Sequence, residues 1–109
     1  MQECVVLTTS PDSEVASALA QRLVESELAA CVNVIPGIQS HYRWKGTTTL
    51  ESEHLLLIKT HEARLQALEL AIRELVPYET PEFLVLPVRG GSEDYLAWMR
   101  QGLGLEVGR

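Results

Sequence analysis

Three sets of side chains in this chain have types suited to chemistry: the thiols Cys4 and Cys31, the imidazoles His41, His54 and His61, and the corner Pro77-Tyr78-Glu79-Thr80-Pro81-Glu82. A thiolate is a nucleophile and a soft metal ligand, an imidazole a base or a metal ligand, and a carboxylate a hard oxygen ligand. Copper needs two or three nitrogen or sulfur donors converging on one point. The histidines form no H-x-H or H-x-x-x-H pair. With Lys45-Gly46 as a hairpin turn, Trp44 pairs with Thr47 and His41 falls opposite Leu50, away from His54. The histidines therefore read as solvated polar-face or helix-start residues. Both cysteines sit in apolar strand runs, where a thiol behaves as a small buried hydrophobe, and no disulfide between them is expected. No Gly-x-Ser-x-Gly elbow, phosphate-binding glycine loop or Cys-x-x-Cys is present, and Ser10 and Ser92 read as ordinary helix caps. Catalysis is not expected. The Pro77–Glu82 corner is either a rigid connection with Tyr78 packed on a helix, or one wall of a polar-aromatic cleft. In the second reading Tyr78, Glu79 and Glu82 join Trp44, Lys59, Tyr95 and Trp98 between subunits.

Positioning these groups requires a regular framework. Cys4 to Thr8 is a short apolar strand. Ser10-Pro11 reads as N-cap and first residue of a helix to about Ser26, burying Val15, Leu19 and Leu23. Ala29 to Ile35 reads as a buried strand, broken by Pro36-Gly37 and resuming in strict alternation. Ile38, Ser40, Tyr42 and Trp44 then share one face, and Gln39, His41, Arg43 and Lys45 the other. The returning strand ends in Leu55-Leu56-Leu57-Ile58. Thr60 or His61 opens a second helix with Leu65, Leu68, Ile72 and Leu75 on its core face, stopped by Pro77. Phe83 to Val88 is a fourth strand, and Ser92 caps a short third helix to about Arg100. Gly102, Gly104 and Gly108 suggest a frayed tail over 102–109. The order β-α-β-β-α-β plus a terminal helix is the α+β, ferredoxin-like split-βαβ plan, in one domain over residues 1–109. A hairpin this long must pack on something.

Composition narrows the partners. The chain has 109 residues, 46% hydrophobic and 22% charged, with a net charge of −6. Nine basic residues scattered among fifteen acidic ones do not make a phosphate-binding surface, so nucleic acid is not an expected partner. No apolar run is long enough to span a membrane and no signal peptide is read at the start, so the expected compartment is the cytoplasm.

Three separated motifs carry a resemblance: Leu28-Ala-Ala-Cys-Val-Asn-Val-Ile-Pro-Gly-Ile-Gln-Ser-His-Tyr-Arg-Trp-Lys-Gly46, Val76-Pro-Tyr-Glu-Thr-Pro-Glu82 and Gly91-Ser-Glu-Asp-Tyr-Leu-Ala-Trp98. In this order the chain resembles the CutA divalent-cation-tolerance family from about Val5 to Trp98. The resemblance implies a homotrimer with sheets packed about a threefold axis and hairpin arms reaching neighbours. It implies a non-enzymatic role in tolerance of divalent metals, with copper as a candidate ion. Of the ligand set proposed in copper-binding members, Thr8 replaces the cysteine, Leu75 and Val76 stand where the histidine would be, and only Glu82 remains. Cys31 matches the family's Ala-Ala-Cys cysteine, so Glu82 and Cys31 are the metal candidates. Replacing Glu82 by glutamine is expected to cost roughly 1–3 kcal/mol through lost hydrogen bonds if the carboxylate is buried. The architecture also resembles the trimeric PII signalling proteins, which implies a small effector in intersubunit clefts as an alternative. A small ferredoxin-like acyl-phosphate hydrolase is a further one, although no arginine-bearing anion loop is evident.

Overall fold

The computed structural model describes residues 2–106. Strand β1 (Glu3–Ser10) leads to helix α1 (Ser13–Glu25), then to a hairpin of β2 (Cys31–Trp44) and β3 (Thr47–His61). A 3-10 turn (Glu62–Arg64) enters α2 (Leu65–Leu75), followed by the short strand β4 (Leu84–Pro87) and helix α3 (Glu93–Gly102). The strands form one antiparallel sheet in the order β2-β3-β1-β4, the α+β, ferredoxin-like arrangement expected from the order of elements. Among the described residues, no helix is long and apolar enough to cross a membrane.

Strand alternation divides the sheet into two unlike faces. Val6, Leu56 and Ile58 are fully buried on the face that carries α1 and α2, against Leu19, Leu23, Leu68 and Ile72. The registers Val5 to Lys59, Leu7 to Leu57 and Leu7 to Leu84 define the opposite face. Helix α3 lies over one end of it, through Lys59 to Tyr95 and Arg100 to Glu3, and the corner at Tyr78 meets Glu53 at the other. The rest is apolar and open: Ile35, Leu84 and Leu86 are all exposed, the last two at 55% and 47%.

The hairpin turn forms as its sequence suggests. Lys45 and Gly46 both take positive φ, 49° and 81°, which matches a two-residue turn to the twist of its strands. His41 does face Leu50. Pro36-Gly37 shifts the register between Ile35 and Ile38, and the hairpin projects to give a molecule 52 Å long and 25 Å across.

Several local expectations are corrected. Ser10 ends β1, and Asp12 caps α1 by accepting from the Val15 amide at 2.9 Å, because the strand keeps pairing with β3 as far as His54. β2 is an edge strand, so Val34 and Ile35 are exposed rather than buried, and Cys31 is only half-buried at its start. β4 is shorter than Phe83–Val88. His61 ends β3 and caps the following turn, with its ring buried rather than solvated. The tail is not frayed where it is described: Leu103 is fully buried and the Leu105 amide donates to the Arg100 carbonyl at 2.9 Å. Residues 107–109 of the expected tail lie outside the described residues.

Candidate functional site

A cleft of about 920 Å³ lies between the hairpin and the Pro77–Glu82 corner. Pro77 ends α2 and Pro81 is buried, so the corner holds its shape across the outer part of the hairpin. The hairpin register puts Tyr42 opposite Thr49, Ser40 opposite Glu51 and Ile38 opposite Glu53, all on one face. Glu53 and Glu51 therefore lie towards the bulge, and Tyr42 and Trp44 towards the turn, along one cleft wall.

Two phenol–carboxylate pairs organise it. Tyr78 Oη donates to Glu53 Oε2 at 2.5 Å, and Glu53 is only 8% exposed. Burial first, then that hydrogen bond, pushes the Tyr78 phenol far above its ordinary range. Tyr42 Oη donates to Glu51, and this bond, more than its slight burial, raises the phenol to about 12. Glu82 is half-buried in the same cleft, and burial, then the nearby Glu53 charge, holds its carboxyl above the ordinary range. Glu79 is exposed and reaches Lys45 Nζ only loosely, at 3.9 Å.

The expected cleft group is divided. Trp44, Tyr78, Glu79 and Glu82 line this cleft. Lys59, Tyr95 and Trp98 form a separate cluster, in which Lys59 Nζ lies 3.4 Å from Tyr95 Oη and 5.7 Å from its ring centre. Tyr95 and Trp98 stack at a 35° tilt, 5.3 Å apart. Lys59 is six residues beyond Glu53 on β3, about 20 Å at the usual ~3.3 Å per residue, so a single chain cannot join the two groups. The metal candidates are separated in the same way. Cys31 pairs with Lys59 across the strands, while Glu82 belongs with Glu53.

The residues present do not fit a copper centre within one chain. Among the described residues, no three His, Cys, Asp or Glu side chains converge as a metal cage. Thr8, on the face towards the helices, is fully buried with a hydroxyl that has no hydrogen-bond partner. The sequence reading also missed Glu51, Glu53 and Tyr42. The register that set His41 against Leu50 already aligned Ser40 with Glu51 and, before the bulge, Ile38 with Glu53.

The expected effect of Glu82→Gln changes sign. Among the described residues, the Glu82 carboxylate makes no hydrogen bond to lose. A carboxyl with a raised folded value favours the folded state most when protonated, and that contribution is lost as pH rises through the raised value. Glu82→Gln should therefore raise the Tm by a few degrees near pH 8, with the gain vanishing near pH 4. A Tm lowered at both pH values in thermal melts would contradict this.

An α+β ferredoxin-like sandwich with an overlong hairpin and a carboxylate–aromatic corner defines a narrow class of small proteins. The sequence pattern of the CutA1 divalent ion tolerance protein family matches residues 4–102, and the chain belongs to that family. It is 45% identical over 102 residues to the divalent-cation tolerance protein CutA of Thermus thermophilus, covering 94% of this chain and 99% of that one. The solved structure of a divalent cation tolerance protein (Cut A1) from Thermus thermophilus superposes with a TM-score of 0.91 at 44% identity, covering 93% and 98% of the two chains. A chloroplastic CutA protein of Arabidopsis thaliana is 43% identical over 96 residues, covering 88% of this chain and 53% of its own length.

Proposed function

We propose that this protein acts in tolerance of divalent metal ions as a cytoplasmic homotrimer that works by binding and not by catalysis. The observation that carries the reading is the cleft, where Glu51, Glu53, Glu79 and Glu82 line one wall system beside Tyr42 and Tyr78. Such a surface offers hard oxygen donors and attracts cations without selecting copper. The names of the relatives, which are divalent-cation tolerance proteins, support the same role. The open apolar sheet face supports assembly, because an exposed patch of leucine and isoleucine is the usual mark of an interface. For a binding role it counts that neither thiol is set up as a nucleophile. The Cys4 thiol is pushed up to about 11, chiefly by burial, and Cys31 Sγ has Asn33 Oδ1 at 3.9 Å in place of a base.

Calorimetry with copper tests the reading. Binding should be weak and Glu82→Gln should change it less than twofold, because Cys31 and Glu82 lie apart. Tight binding of one ion per subunit, abolished by Glu82→Gln, would reveal a selective centre completed between subunits. A second reading is favoured by the ring-lined part of the cleft at Tyr42, Trp44 and Tyr78, which suits a small aromatic effector of the kind PII-like proteins bind. Thermal shifts with divalent metals and with nucleotides, run side by side, separate the two. A rise with nucleotide alone would favour the second.

A further inference from the structure

His61 is 3% exposed at the end of β3. Its Nδ1 accepts from the Ala63 amide at 3.0 Å, closing the turn that leads into α2. That bond puts the ring proton on Nε2, which is buried and has no hydrogen-bond partner. Directly opposite in the β1–β3 register is Glu3, itself 7% exposed. Its Oε2 forms an ion pair with Arg100 Nε, on α3, at 2.6 Å, without the alignment of a hydrogen bond. One buried junction thus joins β1, β3, the turn and the terminal helix.

The charged side chains facing the ring come one from each of these elements: Glu3 from β1, Glu62 from the turn and Arg100 from α3. Burial first, then Arg100, holds the imidazole below its ordinary value of 6.5. Glu3 and Glu62 oppose the shift.

We propose that His61 is an acid-sensitive latch on α3, whose protonation by solvent turns Nδ1 from acceptor to donor, breaks the cap on Ala63 and draws the Glu3 carboxylate away from Arg100. With both ring nitrogens donating, N–H would face N–H at Ala63, and Glu3 is the acceptor across the strands. Arg100 then loses its partner, which lowers the cost of opening α3 against its buried Met99 and Leu103, and that opening carries Tyr95 and Trp98 off Lys59. The sign follows from the lowered value. A histidine that is harder to protonate when folded contributes stability in full above 6.5 and loses it as pH falls towards its folded value.

Hydrogen exchange on the assembled protein between about pH 7.5 and pH 5, corrected for intrinsic rates, tests the latch. Protection of the α3 amides should fall about tenfold per pH unit below 6.5 until the folded value is reached, while α1 amides hold. In His61→Asn the side-chain oxygen still accepts from the Ala63 amide but does not titrate, so α3 protection should stay flat. Equal pH dependence in His61→Asn, or flat protection in the wild type, would overturn the proposal. If His61→Asn does not fold, imidazole nitrogen shifts in the wild type decide the matter. The midpoint of the His61 titration must mark the pH at which the fall in α3 protection levels off, and a mismatch of more than about one pH unit rejects the latch.

Discussion

If the protein assembles as the proposed trimer, replacing Leu84 and Leu86 together with aspartate should reduce it to the 12.1 kDa chain. Both leucines lie on the open sheet face, in register with Leu7 and Val5, and both are largely exposed in the single chain. The double substitution therefore leaves the α1–α2 core untouched. In a trimer each leucine would be buried, and burying a leucine is worth about 1.5–3 kcal/mol relative to exposure. Two aspartates per subunit replace that gain with desolvated like charges around the symmetry axis, a cost well beyond the lost contacts. Light scattering at micromolar concentration should report a threefold fall in mass, with far-ultraviolet dichroism unchanged. An unchanged mass would mean that another surface holds the copies together.

Tyr78→Phe should destabilise the protein by about 1–3 kcal/mol, the usual cost of leaving a buried polar group without its partner. The phenol of Tyr78 is the hydrogen-bond donor to Glu53 Oε2, and Glu53 is among the few buried acidic residues. Removing the hydroxyl leaves a carboxylate that is shielded from water, and Glu82 stands nearby with the same charge. A double-mutant cycle with Glu53→Gln gives the pair's coupling directly. Coupling near zero would show that the corner is held by its prolines and packing alone. The same cycle bears on function, because the pair fixes the distance between the corner and the hairpin and hence the width of the cleft.

Much of this architecture follows from local spacing. The apolar faces of α1 and α2, the positive-φ turn at Lys45-Gly46, the bulge after Ile35 and the Ser92 cap are each determined by residues adjacent in sequence. Short-range sterics and hydrogen bonding act there with nothing distant to override them. The motif residues were legible for the same reason, as family patterns that are local in the chain. Their grouping was not. Lys59, Tyr95 and Trp98 leave the Pro77–Glu82 corner because β3 is extended, and each residue of strand carries the chain another ~3.3 Å away. Glu53 and His61 gave no sign of burial, since a charged or polar residue on a strand ordinarily points to water. Glu53 is covered by a corner from elsewhere in the chain and its charge is met by Tyr78. His61 is enclosed because α3 returns over β1 and Arg100 finds Glu3. Contacts of that range depend on where whole elements pack, and only the tertiary structure decides it.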